Sequence, residues 1–400
     1  MKRRSAVQSI ISGSLLIAGT TIGAGMLGIP LLTAQTGFLP AILVTLLVWI
    51  FMAVTGILFL EATLWMPDGS NVLSMAKRYL NWQGKFFCGG MYIFLYYCLM
   101  IAYFAAGAPI FMDFLSSAWG IGSQPLSYFI FGLVFGGLVF SGLKWIDRVN
   151  FILIVAMILS FIFLLYMGSE QVQTGRLLDW RWSSAFFAAP VLFSSFGYHN
   201  VIPSLCTYFR RDVRIMKWSI WIGTSLPFLF YLLWQWLIIG AFNPETIEQV
   251  LQKGQPVTEA FSLGGETKYL IQLGRVFGFF AVITSMLGVS FSLVDFMADA
   301  FKIPRRGLGR LFLCLIVFVP PFIFASVDPT IFVKAIGIAG GFGEAFLNGM
   351  MPVLFVWVGR YAMKLKSRAL FFDNRLSLGL LFFLSLVVVV LEIVNLVYSR

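Results

Sequence analysis

Charged side chains are scarce in this 400-residue sequence. Aspartate, glutamate, lysine and arginine together make up 11% of it, whereas 60% of the residues are hydrophobic. A soluble fold of this length has too little interior to hide so much apolar surface, and a disordered chain has far less of it. Because the apolar residues run through the whole chain rather than one anchor, the composition predicts an all-α polytopic membrane protein.

Histidine and cysteine are also rare. The chain has one histidine, His199, and four cysteines, with no CxxC pair and no spacing typical of a metal site. A single imidazole and scattered thiols exclude a structural metal site and a disulfide scaffold. Membrane enzymes that act on lipids need clustered acids, histidines or metal ligands, so the same scarcity argues against an enzyme. We expect no cofactor and no metal, and we expect the cysteines to be buried as small apolar residues.

The net charge of +11 raises the alternative of a nucleic-acid partner. The lysines and arginines lie, however, in short segments between apolar runs, which is the distribution of a membrane topology. If Lys2, Arg3 and Arg4 lie on the inner side and the spans alternate, every connection on that side carries lysines or arginines. We therefore expect a cytoplasmic N-terminus, a C-terminus on the outer side and no nucleic-acid partner, and we infer no obligate protein partner.

A helix needs about 20 consecutive apolar residues to cross a bilayer. Eleven segments meet this requirement, at residues 7–32, 38–65, 86–112, 125–141, 146–167, 184–207, 218–241, 269–299, 308–326, 330–359 and 376–398. The longest outer connection, residues 242–268, is either a partly helical lid over an outer vestibule or a solvated loop. Glu61, Asp295 and Asp299 approach inner ends of spans, where we expect them to face water or basic loops.

Two spans contain sequences that a plain membrane helix does not need. Residues 19–25 of the first span read GTTIGAG, and residues 194–200 of the sixth read SSFGYHN. Glycine is unfavourable in a helix interior, and polar groups in hydrocarbon need partners. Both patterns favour an unwound segment that lines a cavity, although Gly19 and Gly23 also form a GxxxG pattern, which is typical of close helix packing.

These two breaks lie five spans apart. Because five is odd, the second set of five spans enters the membrane from the opposite face. This predicts two inverted repeats, residues 1–167 and 184–359, followed by an additional helix at 376–398. Transporters built this way bind their substrates at the broken helices. Freed amides there favour a carboxylate, and freed carbonyls favour an ammonium group or a cation, so an amino acid fits this backbone chemistry.

A few side chains are candidates for proton or ion coupling. His199 lies in the second break, where it could donate to a substrate, carry a proton or serve as a neutral packing residue. Glu344 of span ten could relay protons or make a polar contact between helices. Ser285 and Ser290 of span eight could coordinate a cation with the carbonyl of Gly19, although serines in helices more often bond to their own backbone.

Aromatic side chains could form the wall of a pocket. Tyr97, Tyr103 and Phe193 lie in spans three and six, where stacking would suit an aromatic ligand. Aromatic residues make up 17% of the chain, however, so most of them are expected to pack together or to face lipid.

Four longer segments carry a resemblance to a known family. They are GTTIGAGMLGIP (Gly19 to Pro30), SFGYHNVIPSLCTY (Ser195 to Tyr208), GTSLPFLFYLLWQW (Gly223 to Trp236) and FFAVITSMLGVSFSLVDFMADAF (Phe279 to Phe301). They resemble the hydroxy and aromatic amino acid permeases, and most closely the bacterial tyrosine- and tryptophan-type permeases. The segment that begins at Gly19 is similar to the opening of such a permease, and the segment that begins at Ser195 resembles the broken sixth helix of that family. The resemblance covers nearly the whole chain.

The resemblance implies a leucine-transporter-like fold of five plus five inverted spans, with helices 1 and 6 discontinuous and an eleventh helix added. It also implies proton-driven import of tyrosine, tryptophan or both across the bacterial inner membrane, by rocking of the bundle that contains spans one and six. Sodium coupling in the same fold and a passive small-solute channel are the alternatives. Carried over by position, the substrate site would comprise Thr20, Thr21, Ile22, Gly23, Ala24, Gly25, Phe196, Gly197, Tyr198, His199 and Asn200.

Overall fold

A computed structural model describes residues 6–119, 124–178, 180–182, 184–366 and 374–398. All regular elements among these residues are helices. Lys2, Arg3 and Arg4, which contribute to the expected orientation, lie outside the described residues. The four cysteines are all described, and they are buried and free, as expected.

Thirteen helices of at least seven residues lie within the described parts of the chain. In chain order they are α1 (Ala6–Thr21), α2 (Phe38–Leu64), α3 (Val72–Trp119), α4 (Gln124–Ser141), α5 (Leu143–Gly168), α6 (Ala189–Ser195), α7 (Ile202–Tyr208), α8 (Val213–Ala241), α9 (Pro244–Gln252), α10 (Lys268–Phe301), α11 (Gly307–Val327), α12 (Phe332–Ala362) and α13 (Arg375–Tyr398). Helix α3 is kinked at Leu80 and Asn81, so the expected span at 86–112 is the part after the kink. Helix α12 widens to π-type turns over Ala339–Met350.

Most of these helices are long and apolar enough to cross a membrane. Nine helical segments of the described chain meet this requirement, and the bent pair Ala6–Thr21 and Ala24–Thr36 raises the number to ten. The apolar helix Pro125–Ser141 is shorter. The chain is therefore a polytopic integral membrane protein, whereas the count of eleven spans depends on Pro125–Ser141 and stays a prediction.

The broken helices lie in the centre of the bundle. Helix α1 packs along α8, and α6 and α7 pack against α2. Around this group, α5 packs along α10, and α12 packs against α3. Helix α13 contacts α12 from outside and exposes most of its apolar surface, which places it at the lipid-facing rim. The largest fully buried side chains include Trp234 of α8, and Phe196 and Tyr198 between α6 and α7.

The outer connection 242–268 is folded. It forms α9 and a further short helix, Ala260–Leu263. Ile247 and Val250 of α9 are fully buried, and the ring of Phe261 packs edge-on against Phe242. Of the two alternatives for this segment, the structure therefore shows a packed, partly helical cover rather than a solvated loop.

Three acidic side chains were expected to face water or basic loops. Asp295 and Asp299 pair with Arg305 at an exposed site. Glu61 also meets a basic residue, but it does so away from water. Its carboxylate is fully buried and accepts hydrogen bonds from Arg360, from Nε at 3.0 Å and from a terminal nitrogen at 2.6 Å. This forked pair links α2 to the end of α12, and each charge depends on the other because water is excluded.

We expect that removing either charge alone, with Glu61→Leu or Arg360→Met, lowers the free energy of unfolding by roughly 3–5 kcal/mol, because a buried charge loses its partner. The double variant should recover most of this loss. Unfolding in mixed detergent micelles measures all three variants.

The matched control is Arg305→Met. The side chains of Arg305 and Asp295 are 47% and 41% exposed, so this loss should cost no more than about 1 kcal/mol. Equal effects at the buried and the exposed pair would contradict the assignment of a structural role to Glu61 and Arg360.

Candidate functional site

The first break begins where α1 ends at Thr21. The hydroxyls of Thr20 and Thr21 donate to the Ile17 carbonyl at 2.7 and 2.8 Å, so both threonines close the last turn of α1 on itself. The chain then bends by 48° before the segment Ala24–Thr36 continues across the membrane. The helix is therefore interrupted at the position that the glycines and threonines of the sequence predict.

Backbone groups at this break are left open. The Ala24 amide donates to the Ser285 hydroxyl of α10 at 3.0 Å. No described residue accepts a hydrogen bond from the amides of Gly23 and Gly25. A Cβ at Gly23 would overlap the Ser285 hydroxyl, so this close approach requires glycine. Unpaired amides inside a membrane protein need a partner, which a ligand or water can supply.

The second break separates α6 from α7. Helix α6 ends at Ser195, and α7 begins at Ile202. Gly197 lies against Glu344 of α12, where an added Cβ would come within 2.5 Å of a carboxylate oxygen. The glycine therefore brings the unwound backbone next to the acidic side chain. Tyr198 turns away and donates to the Met52 carbonyl of α2 at 3.1 Å.

A tyrosine of α8 bridges the two breaks. The Tyr231 hydroxyl lies 2.8 Å from the Thr21 carbonyl and 2.7 Å from the Ser195 carbonyl. These carbonyls end α1 and α6, so both lack the helical partner that a continuous helix would provide. One hydroxyl proton serves two buried acceptors, and it ties the broken helices together.

A cavity of about 280 Å³ lies between the breaks. Its size is near the lower end of small-ligand pockets, which measure roughly 300–1,000 Å³. The structure brings these residues of the predicted site onto its wall: Gly19, Thr20, Thr21, Ile22, Gly23, Ala24, Gly25, Tyr103, Gly197, Asn200 and Glu344. Among the described residues of the wall, Glu344 carries the single formal charge.

Other predicted site residues lie behind this wall. His199 is buried, its Nε2 lies 3.0 Å from the Thr55 hydroxyl, and its ring meets Phe59 edge-on. The break thus turns the imidazole towards α2 rather than into the cavity, so its contacts are those of the packing alternative. Phe196 and Tyr198 are fully buried as well, and Phe196 packs edge-on against Tyr231.

The remaining candidates are also outside the cavity wall. Tyr97 donates to the Ile316 carbonyl of α11 at 2.8 Å. Phe193 packs on Phe51. The Ser290 hydroxyl bonds to the Leu287 carbonyl of its own helix at 3.3 Å, as the structural alternative for this serine predicts. Tyr97 and Phe193 point from their helices towards a neighbour, and Ser290 bonds back to its own helix.

Three polar residues of the wall, Tyr92, Asn150 and Asn348, were not among the predicted site residues. The bridging Tyr231 was not predicted either, and it lies behind the wall. Asn348 donates to Glu344 four residues earlier, and a spacing of four on one helical face is a signal that the sequence contains. Tyr92 and Tyr96 share the same spacing, and their hydroxyls lie 2.6 Å apart.

A helical membrane bundle whose central cavity lies between two interrupted helices has the architecture of a secondary transporter. The comparison with protein families agrees with this class. Residues 6–392 match the tryptophan/tyrosine permease family, so the chain belongs to that family. A transport permease is not an enzyme, which confirms the expectation from the scarcity of acids and histidine.

Individual relatives extend over most of the chain. The tryptophan-specific transport protein of Haemophilus influenzae is 35% identical over 349 residues, 83% of each chain. Tyrosine-specific transport system 1 of the same organism is 30% identical over 359 residues, 88% of each chain. The tryptophan-specific transport protein of Pseudomonas aeruginosa is 31% identical over 363 residues, 88% of this chain and 87% of the relative.

We expect Tyr231→Phe to lower the free energy of unfolding by about 1–3 kcal/mol, because it leaves two buried carbonyls without their donor. Thermal unfolding in detergent measures the loss. Tyr269→Phe is the control, since Tyr269 is 77% exposed. An unfolding temperature for Tyr231→Phe equal to that of the control would rule out the bridge.

Proposed function

We propose that this protein imports tyrosine, tryptophan or both across the bacterial inner membrane by proton symport with alternating access. Its membership of a family whose relatives are named for these two amino acids supports the substrate. The observation that carries the proposal is the cavity between the breaks, with amides on its wall that no described residue pairs.

The break in α1 suits both charges of an amino acid. The free amides of Gly23 and Gly25 can donate to a carboxylate, and the carbonyl of Gly19 can accept from an ammonium group. In this assignment the backbone from Thr20 to Gly25 holds the charged end of the substrate, with Gly197 and Asn200 on the opposite side. Phe196, Tyr198 and His199 act from behind the wall, where they fix the shape of the second break.

The packing supports the proposed leucine-transporter-like repeat of five plus five helices. In the proposed repeat, α1 of the first half corresponds to α6 and α7 of the second, and α2 corresponds to α8. The contact of α1 with α8 then matches the contact of α6 and α7 with α2. Likewise α5 corresponds to α12 and α3 to α10, so the contact of α5 with α10 matches that of α12 with α3. Helix α13, which contains the predicted segment 376–398, has no counterpart in this correspondence. Two structurally equivalent halves that share one central site can rock against each other.

The position of the cavity fits an inward-facing state in the proposed orientation. Asn150 in the first half of α5 and Ser292 in the second half of α10 belong to its wall, and both halves are then cytoplasmic. At the opposite face, Arg275 of α10 lies 3.3 Å from Asp113 of α3 and 3.4 Å from Glu259 of the outer cover. These ion pairs hold the outer ends together.

The coupling ion in this proposal is the proton. Glu344 is the acidic group of the wall, so a proton on it can be exchanged from the cavity. His199 and Ser290 lie behind the wall and are less suited to the exchange. Sodium coupling is the competing hypothesis, with carbonyls near Gly19 and Ile22 and the Ser285 hydroxyl as the oxygen donors.

Uptake into proteoliposomes tests this proposal. Radiolabelled tyrosine and tryptophan should accumulate when a proton gradient is imposed, and unlabelled tyrosine and tryptophan should compete where leucine does not. Accumulation driven by sodium alone would overturn proton coupling. Flux that never saturates would instead favour a channel, and no uptake by folded protein would refute the substrate.

A cavity-filling variant tests the site itself. Gly288 of α10 lies on the wall, and an added Cβ there meets nothing within 4 Å. Gly288→Leu should therefore abolish uptake by occupying the cavity, without strain and without a lower unfolding temperature. Gly137→Leu is the matched control, because Gly137 is exposed on α4 and equally uncrowded. Normal uptake by Gly288→Leu would show that substrate binds elsewhere.

A further inference from the structure

Polar groups occur in two parts of the cavity wall. One is the break in α1, with Ser285 and the amides that no described residue pairs. The other comprises Glu344 and Asn348 of α12, Asn200 and the tyrosine pair of α3. The wall also contains apolar side chains, namely Leu95, Leu99, Val289 and Leu347. A ligand that suits this wall combines a charged group, an apolar part and a second polar group.

Glu344 is held with one oxygen free. Its side chain is nearly buried, and Oε2 accepts a hydrogen bond from Asn348. No described residue donates to Oε1, and no described lysine or arginine pairs with the carboxylate. Oε1 lies beside Gly197, where an added Cβ would come within 2.5 Å of it, so the missing side chain lets the carboxylate reach the break. An oriented, unpaired acceptor on a cavity wall calls for a donor from the ligand.

The neighbouring polar groups largely satisfy one another. The Tyr92 and Tyr96 hydroxyls are hydrogen-bonded, and the Asn200 amide donates to Tyr96 at 3.3 Å. In this part of the wall, Glu344 is therefore the group whose interaction energy gains most from an added hydrogen-bond donor. A carboxyl group keeps an acceptor oxygen in either protonation state, so this role is compatible with a coupling proton on the same side chain.

We propose that Oε1 of Glu344 accepts a hydrogen bond from the ring of the substrate, from the indole N–H of tryptophan or the phenolic O–H of tyrosine. This inference rests on the proposed function. It makes Glu344 a specificity-determining residue, which discriminates against phenylalanine because that ring has no donor. Asn348 is its positioning residue, since its amide fixes the orientation of the carboxylate.

Competition binding with matched substrate pairs tests the proposal. Tryptophan is compared with benzothienylalanine, in which sulfur replaces the ring N–H at nearly the same size, and tyrosine is compared with phenylalanine. The purified full-length protein should prefer the donor-bearing member of each pair by roughly 10- to 100-fold, the range of a hydrogen bond to a charged group. Glu344→Met, which keeps the side-chain length, should reduce both ratios to near one.

Glu392→Met is the matched control. Glu392 is another buried carboxylate, on α13, and it is not part of the described cavity wall. The Glu392→Met variant should keep both affinity ratios of the unaltered protein. Asn348→Ala should reduce the ratios partly, because the carboxylate loses its orientation.

Three outcomes would overturn the inference. Equal affinities within each pair for the unaltered protein would show that the site does not recognise a donor on the ring. If Glu344→Met lowered the affinity for all four ligands equally, the carboxylate would instead bind the ammonium group of the substrate or maintain the structure of the break. If the affinity ratios also fell in Glu392→Met, the effect of Glu344→Met would not be specific to Glu344. Absence of binding of any aromatic amino acid to folded protein would refute the proposed function itself.

Discussion

The pairing of backbone polar groups within hydrocarbon is the constraint on which this structure depends. A continuous helix meets it automatically, and most of the described spans do so. The two central helices do not, and several of the opened groups have a particular substitute. Tyr231 serves the carbonyls of Thr21 and Ser195, and Ser285 serves the amide of Ala24. The amides that remain free lie on a cavity, where a ligand or water can reach them.

Close approach between helices makes these substitutions possible. Gly23 lets Ser285 reach the first break, and Gly197 lets Glu344 reach the second. On α12, Gly340 packs directly on the Pro190 carbonyl at the start of α6. Small residues allow backbones to approach in membrane bundles, where there is no water to drive association. The same glycines that weaken the helices thus build the contacts that hold the breaks open.

Buried charge is used in two different ways. Glu61 is neutralised by the two hydrogen bonds of Arg360, so it contributes to the connection of α2 with α12 and offers nothing to a ligand. Glu344 has an amide partner on one oxygen only and faces the cavity. The arrangement of partners, rather than burial itself, separates a structural carboxylate from one that is available for binding or coupling.

The sequence by itself determined the membrane class and the two interrupted helices, because hydropathy, glycine and threonine act locally along the chain. Orientation around each helix was decided only by tertiary packing. His199 turns to Thr55, Tyr97 to Ile316, and Ser290 back to its own helix, although each lies in a segment that the sequence marks. Tyr231 became part of the site because distant helices cross there. Which face of a buried helix meets a neighbour depends on the neighbour, and an apolar sequence without a polar face carries little record of it.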